Sequence, residues 1–539
     1  MKSGPQESEA LFLGLDASTQ GLKAVIVDGE LRIVYKQAVH FDRDLPEFKT
    51  EGGAHRHADG KTVTSPPLMW TAALDLLLER AQADKAPLGR VAAVSGSGQQ
   101  HGSVWLRAGA REALRRLDPA RPLREQLAAV FALEASPIWM DASTTEQCRD
   151  LEDAMGGAQA LAELTGSRAY ERFTGNQIAK IRRNEPEKYA DTERIALVSS
   201  FMASLLAGEY APIDVSDGSG MNLMDVRARD WSDAALDHTG PGLREKLGAV
   251  VPSHTVVGPV HRYYCEKFGF GRDCLVLAFS GDNPNSLAGL RLQKPGDIAI
   301  SLGTSDTLFG SVSEAVPSAS EGHVFASPVD PAGYMVMIVR QNGSLTRERV
   351  RDRCAGEDWA VFSRMLRETP AGNGGRIGFY VDEPEITPPL HRTGLFRFDE
   401  NGRSVDSFRP AAEVRAVVEG QFLALRLHGE NVGLKPAGIL ATGGASRNEE
   451  IVRVVADVFG VTVCVGEQPD SAALGAAYRA LHGWTCARAG RLVPFSDVLA
   501  DAPPFRRAAE PDPAAHRVYS DLLPAYADLE RRLLSDSLA

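Results

Sequence analysis

Asp282 is the residue in this sequence best placed to take a proton. A short apolar run, Leu275-Val-Leu-Ala-Phe, ends at Ser280-Gly281, and Asn283-Pro284 then supplies a cap and a first-turn proline for a helix. A carboxylate at such a strand-to-helix corner projects past the end of a sheet, near the positive pole of a helix, which favours its ionised, proton-accepting form. Read alone, a helix-capping aspartate is the simpler account. Other stretches suggest the reaction partner. In Gly14-Leu-Asp-Ala-Ser-Thr-Gln20 small hydroxyl residues follow an acid, so backbone amides and hydroxyls can cradle a terminal phosphate while Asp16 holds a magnesium ion through water. The same pattern of apolar strand, hydroxyl-rich turn and apolar strand returns over residues 297 to 312, with Gly303, Thr304 and Ser305 in the turn. A repeat of this kind suggests a duplicated domain, two copies facing across a cleft with a phosphate-gripping turn on each wall. Gly443-Gly444, between a strand and a helix, lets backbone approach a flat ligand such as adenosine.

These residues need elements to position them. Residues 10 to 39 alternate as three short antiparallel strands with a turn at Asp28-Gly29. Residues 68 to 82 read as an amphipathic helix, and Val91-Ala-Ala-Val-Ser as a buried strand running into the turn Gly96-Ser-Gly-Gln-Gln-His-Gly102. Residues 107 to 133 look like a helical excursion on the surface. Pro137-Ile-Trp-Met-Asp141 reads as a further strand that leaves Asp141 at a sheet end, where open α/β sheets place ligands. The segment 166 to 180 is dense in donors and acceptors. Residues 209 to 224 form a polar loop of little helical character, of a kind that often lines a site. Farther on, Asn342-Gly-Ser precedes a basic helix, residues 413 to 429 form a long helix, 500 to 515 are irregular, and 518 to 534 make an amphipathic closing helix.

The chain has 539 residues, enough for several domains, and 43% hydrophobic with 24% charged residues is the balance of a soluble globular protein. A net charge of −12 argues against general nucleic-acid binding. Six scattered cysteines without metal-finger spacing point to reduced thiols in the cytosol, and neither a signal peptide nor a membrane span is expected. Three tempting features have plainer accounts. His55-Arg-His57 lacks nearby carboxylate or thiol partners, Met335-Val-Met337 is strand core, and residues 111 to 124 give a solvated basic helix face.

Taken in order, Gly14-Leu-Asp-Ala-Ser-Thr-Gln, Gly98-Gln-Gln-His-Gly, Trp139-Met-Asp, Gly281-Asp-Asn, Ser301-Leu-Gly-Thr-Ser and Thr442-Gly-Gly-Ala-Ser-Arg-Asn resemble the FGGY carbohydrate kinases. Within that family the chain is most similar to the animal-type xylulose kinases, through the long segments around His40, Gly166 to Lys180 and Asp217 to Leu223. The resemblance spans nearly the whole chain and implies an α/β fold of two duplicated actin-like ATPase (ribonuclease H-like) domains with a deep interdomain cleft. It implies a disordered tail over 1–10, a sugar-binding N-terminal domain over 11–290 and an ATP-binding C-terminal domain over 291–539. The implied reaction is ATP-dependent phosphorylation of D-xylulose to D-xylulose 5-phosphate with release of ADP, in a cytoplasmic monomer or homodimer. Carried over by position, His101, Arg172, Asp282 and Asn283 would hold the ketose, with Asp282 as general base. Asp16, Ser18 and Thr19 would form the first phosphate turn, with Asp16 towards Mg2+. Gly303, Thr304 and Ser305 would form the second, and Trp359, Gly443, Gly444 and Asn448 would border the adenosine of ATP. Another ketose or polyol, such as ribulose or glycerol, is the nearest alternative substrate. A nucleotide-driven switch without sugar chemistry is the alternative of another class.

Overall fold

The computed structural model describes residues 10–466 and 470–538, so all but the last residue of the expected N-terminal tail lies outside the described residues. The chain separates into two compact units. The first is Met1–Gln293 with Phe325–Ala332 and Pro469–Ala502. The second is Lys294–Val324 with Gly333–Gln468 and Pro503–Ala539. The first division falls close to the expected boundary at 290/291, while two later segments, 325–332 and 469–502, belong with the N-terminal material.

In the first unit the three expected strands form: β1 (Leu11–Ala17), β2 (Gly21–Asp28) and β3 (Ile33–His40). They are joined by β4 (Val91–Gly98), β5 (Val256–Pro259), β6 (Leu275–Leu277) and the short β7 (Ser280–Gly281). The sheet order is β5-β6-β4-β1-β2-β3, with β7 paired to β4 beyond β6. β1, β6 and β7 all run parallel to β4, so their C-terminal ends share one edge. Every residue of β1 and β4 is buried, as expected of parallel strands covered on both faces.

The covering helices of this unit are α1 (Pro67–Ala83), α2 (Thr174–Asn184), α3 (Val198–Ala207), α4 (Val215–Gly218) and α5 (Asp282–Gly289). The returning segment adds α10 (Ser471–Ala489), which packs on β1, β4 and α5. Its approach is so close that a Cβ at Gly14 would lie 2.0 Å from Ala473 O. Arg479, 1% exposed, locks α10 in place. It donates to Asn285 Oδ1 at 2.9 Å, Asp214 Oδ2 at 3.1 Å and the carbonyls of Ser253 and Ala278 at 2.9 and 3.2 Å. Ser280 Oγ donates to the other Asp214 oxygen at 2.6 Å.

In the second unit the repeated hairpin is β8 (Asp297–Leu302) and β9 (Asp306–Val312), followed by β10 (Tyr334–Arg340), β11 (Gly438–Thr442), β12 (Val463–Val465) and β13 (Arg506–Ala509). The path β10-β9-β8-β11-β12 repeats β3-β2-β1-β4-β6: an antiparallel trio, then two strands parallel to the first. The duplication expected from the two turns is therefore one of whole-sheet topology. Its helices are α6 (Ser344–Ala355), α7 (Trp359–Glu368), α8 (Pro410–Asn431), α9 (Glu449–Phe459) and α11 (Pro513–Leu538). A buried ion pair, Arg347 to Asp306 at 2.6 Å, ties α6 to β9. Among the described residues no helix is long and apolar enough to cross a membrane.

Several local expectations are corrected. Residues 500 to 515 are not irregular throughout, because β13 completes the sheet edge beside β12. The 209 to 224 stretch is not an open polar loop: it holds a two-residue strand, α4 and a 3-10 turn, and residues 213–224 are all buried. Asp214 caps α4 within it, accepting from Ser216 N and Asp217 N. Of the 137 to 141 run only Pro137 is strand, as the second residue of Ser136–Pro137 in a small separate sheet. There Asp141 is a loop anchor that accepts from Val63 N, Ser143 N and Gln177 Nε2. Helix α5 begins at Asp282 itself, capped by Gly281, rather than at a capping Asn283.

Because Arg479 neutralises Asp214 in a site without water access, Arg479→Met leaves a buried carboxylate unpaired. Its cost is about 3–5 kcal/mol, read from the urea midpoint, and part of it returns in the double variant with Asp214→Asn.

Candidate active site

The shared edge of β1, β4 and β7 brings together the polar residues that the sequence singled out in the first unit. Asp16 is paired in register with Ser97, and Gly98 with Gly281. Hence Asp16, the Gln99-Gln100-His101 turn and Asp282 leave the sheet side by side. Ligands of open α/β sheets gather at such C-terminal ends.

Asp282 is half-buried, and its Oδ1 accepts from Asn283 N at 2.8 Å. Burial, and then the negative charge of Asp16, push its pKa up to about 7, with the Asn283 amide pulling the other way. Desolvation of the side chain works against the helix-pole preference for the ionised form. Asn283 Nδ2 donates to Gln100 Oε1 at 2.7 Å, which leaves Gln100 Nε2 buried without a partner. Both amide atoms of Gln99 are equally orphaned.

His101 adopts a left-handed backbone, φ 67°. Its ring stacks on Phe173 at 4.4 Å, and its Nδ1 lies 2.8 Å from Gly220 O. Burial, reinforced by the Arg172 charge, drops its pKa to about 3, so the imidazole is neutral. With Nδ1–H donated to that carbonyl, Nε2 carries a lone pair able to accept from a hydroxyl. Arg172, at the start of the turn into α2, lies over the Tyr170 ring at 5.8 Å and makes no ion pair among the described residues. Burial lowers its pKa.

The first hydroxyl-rich turn lies on the same edge. Asp16 is buried, its Oδ1 accepts from Ser97 Oγ at 2.6 Å, and burial raises its pKa. Ser18 Oγ donates to Gly21 O at 3.1 Å, closing the turn. Thr19 Oγ1 accepts from the exposed Trp139 indole at 2.8 Å. Trp139 and Ser97 were missed as supports of this turn. Their only signal was membership of the quoted motifs, since neither contact is local in sequence.

In the second unit a cavity of about 530 Å3 is lined by Gly303, Thr304, Trp359, Gly444 and Asn448, together with Ser344, Leu345, Glu348, Arg447 and Ile451. Five expected residues thus share one pocket. Gly443 and Ser305 are not on its lining. Gly443 has φ 81° and packs so tightly behind the turn that a Cβ would sit 2.6 Å from Leu302 O. Ser305 packs behind Gly343, where a Cβ would sit 2.9 Å from the Ser305 carbonyl carbon. Asn448 caps α9 through Glu450 N and Ile451 N and donates to Ser363 Oγ at 2.8 Å. One face of the Trp359 ring is covered by Arg351 at 4.8 Å. Ser344 and Glu348, one turn apart on α6, were missed because helix spacing alone does not say which face meets a pocket.

Among the described residues no cluster of three or more acidic, histidine or cysteine side chains could cage a metal. The single carboxylate Asp16 suits a cation that keeps most of its waters and shares phosphate oxygens, as Mg2+ does.

Comparison with known proteins agrees with this layout. Models of the N- and C-terminal domains of the FGGY family of carbohydrate kinases match residues 132–289 and 298–484. The chain is 54% identical to the xylulose kinase of Rattus norvegicus over 97% of each chain. It is 52% identical to xylulose kinase 2 of Arabidopsis thaliana over 91% of this chain and 90% of that one. The fold matches the crystal structure of a xylulose kinase from Rhodospirillum rubrum with TM-score 0.80, at 17% identity, over 98% of this chain and 100% of the other. With two family domains in order and more than half of its residues shared with such relatives, the chain belongs to the FGGY family of carbohydrate kinases.

Proposed function

We propose that the protein phosphorylates D-xylulose with ATP, giving D-xylulose 5-phosphate and ADP, with sugar held by the first unit and nucleotide by the second. The observation that carries this is Asp282: a carboxylate at the sheet edge, raised to about 7, beside a neutral histidine and orphaned amides. A sugar hydroxyl is a poor nucleophile, so a base must accept its proton as the γ-phosphorus is attacked in line. A pKa near the working pH suits that task better than an ordinary carboxylate.

The surroundings of Asp282 fit a polyol. His101 Nε2 accepts from one hydroxyl, Asn283 and the free Gln100 Nε2 donate to others, and Arg172 supplies a cation held over the Tyr170 ring. A nucleotide-driven switch needs no such hydroxyl-matching wall. In the second unit, Gly303 and Thr304 take the phosphates while Trp359, Gly444 and Asn448 border the adenosine in the same cavity. Gly443 and Ser305 support that turn from behind. Bound through water at Asp16, Mg2+ would offset phosphate charge and favour the departing diphosphate. Ser97 fixes the Asp16 carboxylate for that purpose, and Trp139 fixes Thr19. The compartment proposed is the cytosol, where six unpaired cysteines stay reduced.

A coupled ATPase assay over a panel of ketoses and polyols tests the substrate. D-xylulose should give the highest kcat/KM, and a clear preference for ribulose or glycerol would reassign it. Asp282→Asn should fold normally and keep its KM for the ketose while kcat falls ~10²- to 10⁴-fold; near-normal turnover would reject Asp282 as base. Because the base works deprotonated, kcat of the native enzyme should fall tenfold per pH unit well below a pKa of about 7. Asp16→Ala should raise the Mg2+ and ATP requirement of turnover more than it weakens ketose binding in isothermal titration. A larger sugar defect would contradict its role.

A further inference from the structure

Behind the Gly281–Asp282 corner lies a second carboxyl that the proposed reaction does not use. Asp217, on α4, is 2% exposed. Its Oδ2 accepts from Ser199 Oγ, at the start of α3, and its Oδ1 has no hydrogen-bond partner. A Cβ at Gly281 would lie 2.7 Å from that orphaned oxygen and 2.5 Å from Gln100 Cγ, so the Asp217 carboxyl fills the space behind the corner. Gly281 pairs with Gly98, where a Cβ would meet Ser199 N at 2.4 Å. The Asp217–Ser199 pair is therefore wedged behind the glycine seam from which Asp282 emerges.

The cation whose charge reaches Asp217, Arg479 of α10, is engaged by Asp214. Asp214, the N-cap of α4, is paired with Arg479 at 3.1 Å, and among the described residues Asp217 forms no ion pair. Asp282 of α5 adds a further negative charge, and His101, which contacts Gly220 two residues beyond α4, is held neutral. A fully buried carboxyl with one donor and no direct ion pair is cheaper to keep protonated than ionised. Burial, with Asp214 and Asp282 adding to it, raises its pKa to about 8 against the pull of Ser199 and of the Arg479 charge.

We propose that Asp217 is a positioning residue for Asp282: as an uncharged acid it backs the Gly98–Gly281 seam and aims the base, and its ionisation sets the alkaline limit of turnover. This rests on Asp282 being the base. Once Asp217 loses its proton, an unpaired charge sits behind the corner, repels the Asp282 carboxylate and draws water into the seam.

The test is the pH profile of kcat on the intact enzyme, with the melting temperature followed at each pH. Native enzyme should lose turnover above about pH 8 while still folded. Asp217→Asn keeps the shape and an acceptor for Ser199 but cannot ionise. It should retain neutral turnover and lose the alkaline decline. Asp217→Ala removes the wedge and should lower kcat ~10- to 100-fold with KM for the ketose changed much less. An alkaline decline unchanged in Asp217→Asn overturns the proposal, as does native turnover in Asp217→Ala. Should the alanine variant fail to fold, the asparagine profile decides alone. If Asp282→Asn remains active, the base assignment itself falls; if it is inactive while Asp217→Asn keeps the decline, only the role of Asp217 falls.

Discussion

The buried contact of Arg479 with Asp214 is the constraint on which the first unit depends. One guanidinium joins α10, the helix that returns to this unit late in the chain, to the cap of α4, to Asn285 of α5 and to the carbonyls of Ser253 and Ala278. Its desolvation is offset only because every partner is in place, so the contact enforces one arrangement rather than adding much net stability. Asp282 opens α5, and Ser280, two residues before it, bonds to the same Asp214. The corner from which the proposed base emerges is therefore anchored by this ion pair.

The electrostatics of the edge follow from that packing. Asp16, Asp282 and Asp217 are brought close in a region of low dielectric, and like charges in such a place cannot all ionise near neutral pH. The outcome is a graded set rather than three ordinary carboxylates: Asp282 titrates near neutrality, Asp217 above it, and Asp16 is raised while Ser97 and Lys23 restrain it. General-base chemistry on a hydroxyl requires a carboxylate more basic than usual, and burial supplies it.

The second unit repeats the same strand order for a different purpose. There the hydroxyl-rich turn opens on a cavity walled by α6, α7 and α9, and the ion pair of Arg347 with Asp306 holds the turn's outgoing strand. The diglycine splits its work: Gly444 lines the cavity while Gly443, with positive φ and Leu302 O pressed against it, lets the backbone come that close.

Local chemistry by itself determined much of this. Period-two alternation and turn residues specified both hairpins, because adjacent strands pair through short loops whose signals are contiguous. The strand-to-helix corner at Asp282, the glycines around Gln99 to His101 and the long helix over 413 to 429 were legible for the same reason. What only the tertiary structure decided are the contacts made across long sequence separations. The strand β13 within a Pro- and Ala-rich stretch exists because β12 offers it an edge. Asp141 became a loop anchor because Val63 and Gln177 converge on it. Asp217 and Arg479, unremarkable in their own segments, acquired their roles because burial and partners far along the chain, rather than neighbouring residues, set the energy of a charge.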